Sequence, residues 1–266
     1  MQDYKKSAFI PDWIDEPPKE GSYRSIFKWG DPKGFKHPNK RLYDHLKEAL
    51  ELTDNDFKKR EDEGHEKVVC DNPIVLADVH IQAITAIVGP DNVTQDGYSR
   101  VKYSSGMTMI EVNTLRKKGN ESVADIVVHP RDKEDVQKIV SYCHNEKIPI
   151  YAYGGGSSVN FGHMPVKGGI SLVMKTHMNK IIVLNEADQT VRVQSGMMGP
   201  AYEDALNRAP EIFSAKGKYT GGHFPQSFEY SSVGGWVVTL GSGQASSYYG
   251  DAYDLVISQE YITTSG

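Results

Sequence analysis

The chain has 266 residues, a formal charge of −5 and two cysteines. That length supports one large domain or two small ones with a real core. The charge leaves no basic field for nucleic acid, and Cys70 and Cys143 offer no Cys-x-x-Cys pair, disulfide framework or zinc spacing. No apolar run has the length of a membrane span, and "MQDYKKSAFIPDWIDEPPKEG" lacks the apolar stretch of a signal peptide. A reducing, cytoplasmic setting is expected, with a peripheral contact to a membrane surface left open. No metal is expected.

Residues 1–70 carry 14 Lys and Arg against 15 Asp and Glu, so they read as a solvated arm rather than a basic tail. Within them "NKRLYDHLKEALEL" predicts an amphipathic helix with Leu42, Leu46, Ala49 and Leu50 on one face. "SIFKWG" is expected to anchor the arm. "NPIVLADVHIQAITAIVG" predicts a second helix capped by Asn72, with Pro73 at its first position and a stop at Gly89-Pro90. Residues 91–120 read as irregular and polar, with Arg100, Lys102, Arg116, Lys117 and Lys118.

From about Glu121 short strands alternate with helices. "ADIVVHP" reads as a strand. "RDKEDVQKIVSYCHNEK" reads as a helix capped by Asp132, with Val136, Ile139, Val140 and Cys143 on one stripe. "IPIYAY" is the next strand, which makes a β-α-β unit. "GISLVM", "NKIIVLN" and "QTVRVQSG" read as strands, with "NEADQ" a turn. "GPAYEDALNRA" reads as a helix with Pro200 at its first position, and "DLVISQEYITTSG" as a final strand. The division expected is a helical N-terminal extension over 1–118 and a second domain over 119–266.

The candidate chemistry lies in two glycine tracts. "YAYGGGSSVNFG" follows a strand, as phosphate loops do. Val159 stands where a Rossmann fingerprint needs its third glycine, and no helix follows. No Gly-Lys-Ser/Thr is present for a Walker loop. Taken alone, the stretch is as good a tight turn as a phosphate site. The second tract, "GGHFPQSFEYSSVGGWVVTLGSG", adds a histidine, paired serines and two glycine clusters. Two such loops on one scaffold suit a long ligand, phosphates on one and ring on the other.

These stretches, with "YYGDAYDLVISQEYITTSG", resemble the PCMH-type FAD-binding domain of the vanillyl-alcohol-oxidase superfamily. Within it they are most similar to the alkyldihydroxyacetonephosphate synthase (alkylglycerone-phosphate synthase) family. "FKWG" resembles that family's N-terminal element more faintly. The fold implied is α+β, two α/β subdomains preceded by the helical extension. The resemblance implies FAD contacts from Ala152, Tyr153, Gly154, Gly155, Gly156, Ser157 and Ser158. It implies more from Gln226, Ser227, Phe228, Glu229, Tyr230, Ser231 and Ser232, and from Thr239, Leu240, Gly241 and Ser242. His223 matches a histidine implicated in catalysis, and histidine can move a proton near neutral pH.

The activity implied is exchange of an acyl group for a fatty alcohol on dihydroxyacetone phosphate, without net redox. The alternatives are an FAD-linked oxidase or dehydrogenase of a 2-hydroxy acid, and a catalytically silent FAD-binding module. A small-molecule or lipid-derived substrate and a homodimer are expected. Noncovalent FAD is expected, because the loop carries no histidine and His163 lies beyond it. Leu240 stands where the synthase pattern has arginine. The family's next FAD segment and its cap domain fall beyond Gly266, so a fragment or a naturally short half is expected. Arg100 and Arg116 read as solvated or ion-paired, His129 and His144 as surface or cap residues, and Trp236 as packing. Glu229 is as good a helix cap as a flavin contact.

Overall fold

The computed structural model describes residues 18–27, 40–56, 64–119 and 122–264. The first helix, α1, spans Lys40–Ala49. Leu42 and Leu50 on its predicted face stay exposed. The lysine, tryptophan and glycine of "SIFKWG" lie outside the described residues. Ile26 is buried and Phe27 packs beside it against Tyr23, Val101, Val112 and Leu115.

The second helix, α2, spans Asp78–Val88 and not the stretch from Asn72. Arg100 explains the difference. Its buried guanidinium donates to the carbonyls of Asn72, Pro73 and Ala124, and the N–H of Val75 donates to Asp125. Residues 72–75 are thereby held outside the helix. Arg100 is neither solvated nor ion-paired, and it spends its donors on backbone. Gly89, at φ +87°, does end α2.

The stretch expected to be irregular is ordered: β1 (Val93–Thr94), α3 (Gly97–Lys102) and α4 (Met109–Arg116). Asp96 caps α3, and Thr108 and Glu111 form a reciprocal capping box on α4. That Thr-x-x-Glu signal stands in the sequence, but the helices are short and weakly periodic, so no apolar stripe accompanies it.

β2 (Ile126–Val128), α5 (Lys133–Glu146) and β3 (Ile150–Tyr153) follow as predicted, with Asp132 accepting from the Asp135 N–H as the cap of α5. β4 (Ile170–Val173) inserts between β2 and β3, so the sheet order is β1-β2-β4-β3. β2, β4 and β3 run parallel, and β1 is antiparallel. α2 and α5 cover one face, burying Ile84, Val88, Ile126, Ile139, Cys143 and Ile170. Burial pushes the Cys143 thiol up to about 12, as befits an inert core thiol. On the other face Tyr103 packs against Val127, Tyr153 and Val173.

β5 (Ile181–Asn185) and β6 (Thr190–Val193) form a separate antiparallel pair. α6 (Gly199–Asn207) has Pro200 at its second position, and α7 (Ala209–Phe213) follows. The second glycine tract contains α8 (Val233–Val238) and α9 (Ser246–Tyr249). The expected final strand is not formed. Asp251 and Asp254 make a capping box that starts α10 (Ala252–Leu255). Residues 256–264 then run as an irregular tail, tied back by Glu260 to Lys133 and Arg192, while Ile262 packs on the α2–α5 core.

Candidate functional site

The two glycine tracts meet in space. A Cβ on Gly154 would fall on the Ser232 hydroxyl, and one on Gly155 on the Tyr230 carbonyl oxygen. Gly156, at φ +78°, lies against the Tyr153 hydroxyl. Gly154 and Gly155 are therefore required by the segment 230–232, which seats itself on the loop, and Gly156 by its positive φ and the Tyr153 ring. The space a side chain would take is filled by protein, not left for a ligand.

What the loop does present is donors. Among the described residues, the backbone N–H groups of Gly154, Gly155, Gly156, Ser157 and Ser158 donate no hydrogen bond. Gly155 and Gly156 are buried. Five consecutive unpaired amides at the end of a parallel strand are donors available to an anion. The Ser157 hydroxyl makes no hydrogen bond among the described residues. The Ser158 hydroxyl donates to Asn160 Oδ1 (2.8 Å) and accepts from the Gly162 N–H (3.2 Å). Ala152 is exposed and the Tyr153 side chain is buried. These residues fit the pyrophosphate of FAD through amides and one hydroxyl.

The second segment divides by role. Ser231 accepts from Trp236 Nε1 at 2.6 Å, and Ser232 caps α8. Both hydroxyls are buried and serve the fold. Gln226, Ser227, Phe228, Glu229 and Tyr230 form the rim, and several of them line an open groove with Phe224 and Gln244. Glu229 caps no helix: the residue before the turn Phe228–Tyr230 is Ser227. The Thr239 hydroxyl donates to the Gly235 carbonyl, and Ser242 is exposed. Leu240 is 60 % exposed with φ +53°, a left-handed conformation uncommon for a bulky residue. The tract's glycines also have internal explanations. Gly234 is pressed on Ser195 and Gly243 on the Phe224 backbone, whereas Gly241 meets nothing nearer than 3.6 Å.

His223 stands at the other end of α8. It is 5 % exposed, and both ring nitrogens are buried without a hydrogen bond. Its ring meets Trp236 edge to face at 5.2 Å. Trp236 thus packs as predicted, and it also walls the histidine. Burial holds the His223 imidazole below its ordinary value, partly offset by Asp251. One short helix therefore touches both groups: Ser232, its cap, meets the loop at Gly154, and Trp236 within it walls His223.

Other titratable groups have structural roles. Arg116 lies over the Phe27 ring, with Arg24 also placed over it. His129 bonds Thr176, and burial followed by His177, Lys175 and Lys102 lowers it to about 4. Lys175, which no motif marks, follows β4 close to the glycine loop.

The sequence profile of the FAD binding domain family matches residues 124–266. The chain is 30% identical over 189 residues to the alkyldihydroxyacetonephosphate synthase of Dictyostelium discoideum, covering 70% of this chain and 30% of that protein. It is 28% identical over 193 residues to glycolate oxidase subunit GlcD of Bacillus subtilis, covering 73% of this chain and 37% of that one. A solved structure of alkyldihydroxyacetonephosphate synthase superposes with a TM-score of 0.73 at 24% identity, over 92% of this chain and 49% of its own. The chain thus spans about a third of the length of these curated relatives and about half of that structure. The fold is the PCMH-type FAD-binding fold. With the profile match over more than half its length, the chain belongs to the FAD binding domain family, and FAD is its cofactor.

Proposed function

We propose that this chain takes part in exchanging an acyl group for a fatty alcohol on dihydroxyacetone phosphate. The observation that carries the reading is the extent of similarity. Likeness to the synthase structure reaches 92% of the chain, well beyond the family profile and into the N-terminal extension. Bound FAD would supply a ring able to accept and return electron density at a carbon centre. The amides of 154–158 and the Ser157 hydroxyl would hold its pyrophosphate, and the rim 226–230 would flank it. His223 would accept a proton from the exchanging substrate and return it. Burial keeps its imidazole neutral at neutral pH, which suits a base.

A second reading, oxidation of a 2-hydroxy acid, draws support from GlcD at comparable identity and from Leu240 in place of a cation. One assay separates the two. Fatty-acid release that depends on added fatty alcohol, with no oxygen consumed, supports exchange. Bleaching of the flavin by glycolate or D-lactate supports oxidation and sinks exchange.

A further inference from the structure

Two lysines stand on one aromatic wall beside the glycine loop. Lys102 ends α3 with its Nζ 5.1 Å from the Tyr98 ring centroid and 5.5 Å from that of Tyr103. Lys175 follows β4, its Nζ 5.6 Å from the rings of both Tyr103 and Tyr153. Those two rings meet edge to face at 5.1 Å. Among the described residues neither ammonium group has an ion pair or a hydrogen bond.

Two cations held close with no counter-charge cost stability in a partly desolvated place. Burial, then Lys102, depresses Lys175 to about 8. His129, which shares the Tyr103 ring, is kept neutral and adds no competing charge at neutral pH. The position is as telling as the charge. Tyr153 is the last residue of β3, its ring lies under Lys175, and its hydroxyl touches Gly156. Cations and unpaired amides thus share one side chain at the carboxyl ends of parallel strands, where α/β folds receive ligands.

We propose that Lys175 and Lys102 form a phosphoryl-binding pair, and that the group they neutralise is the FAD pyrophosphate resting on the 154–158 amides. This assignment rests on reading that loop as the pyrophosphate cradle. It gives the cradle the cation that its own sequence lacks.

The test uses the 266-residue chain stripped of flavin, titrated with FAD, ADP, riboflavin and glycerol 3-phosphate. Lys175→Met should weaken FAD and ADP by about tenfold and leave riboflavin, which has no phosphate, unchanged. Lys175→Arg should retain most of the affinity, and the loss should shrink at high salt. The flavin-free Lys175→Met protein should melt no lower than the wild type, because an uncompensated cation has been removed. Unchanged FAD and ADP affinity in Lys102→Met/Lys175→Met overturns the proposal. So does a loss shared equally by riboflavin with a lower melting temperature, which marks a structural role. Lost affinity for glycerol 3-phosphate alone also overturns it, assigning the pair to a substrate phosphate instead. If the wild-type chain takes up no FAD, the loop reading falls first and this assignment falls with it.

Discussion

At the residue scale, Gly155 and His223 carry the two sharpest expectations. A methyl group on Gly155 would strike a backbone carbonyl, which cannot swing aside. Gly155→Ala should therefore cost about 1–3 kcal/mol and weaken FAD binding, measured by urea midpoint and flavin titration. Gly241→Ala is the control. Its nearest atom is 3.6 Å away, so stability should stay within about 0.5 kcal/mol. His223→Asn should lower turnover about 10²- to 10⁴-fold with FAD affinity held, compared by steady-state rates and titration. Because burial depresses the His223 imidazole, the acid limb of the wild-type rate profile should lie below the ordinary histidine range. His223 and the triple glycine were legible in the sequence as types in a pattern. Lys175 was not, because a lone lysine after a strand carries no local signal. Only the tertiary fold, which brings Tyr103 at the end of α3 to Lys175, gives it a partner cation and a ring.

At the element scale, α5 depends on its first turn. Asp132 caps the helix, and Asp135 accepts from the backbone N–H, Nε and Nη2 of Arg131. Asp132→Ala should cost about 1 kcal/mol, read from the urea midpoint. The Arg131 guanidinium, its largest influence, holds the Asp135 carboxyl below the usual carboxylate range. A depressed carboxylate stabilises the fold above its unfolded value and loses that contribution as pH falls through the folded one. The wild type should therefore lose stability more steeply than Asp135→Asn below pH ~4, followed by urea midpoints across pH 3–6. Helix α5 was readable because its apolar period, cap and length agree. The final segment reads as a strand in the sequence because "DLVISQEYI" has strand composition. A strand also needs an edge to pair with, and a capping box and Glu260 hold these residues elsewhere.

At the scale of the whole molecule, FAD is expected to be held without a covalent bond. Acid precipitation of the holoprotein should leave the yellow colour in the supernatant. A noncovalent ligand bound only by the folded state stabilises it by mass action, about 2.7 kcal/mol at a hundredfold excess over Kd. The melting temperature should accordingly rise with added FAD, and less with riboflavin at the same concentration, as scanning calorimetry would report. Large apolar side chains of the C-terminal region, among them Val238, Tyr248 and Ile257, remain exposed. They occupy the part of the chain that follows His223.

The sequence by itself determined where the chain turns, which segments are amphipathic, and that two glycine tracts frame a histidine. These are local properties, set by backbone freedom and side-chain period. The tertiary structure decided the rest. It seats 230–232 on the loop, so the glycines serve packing while their amides stay unpaired. It commits Ser231 and Ser232 to α8, and it packs His223 on Trp236 of that helix. It also gathers Lys102 and Lys175, 73 positions apart in the sequence, onto one wall. Such contacts depend on which surfaces meet, and no window of sequence contains both partners.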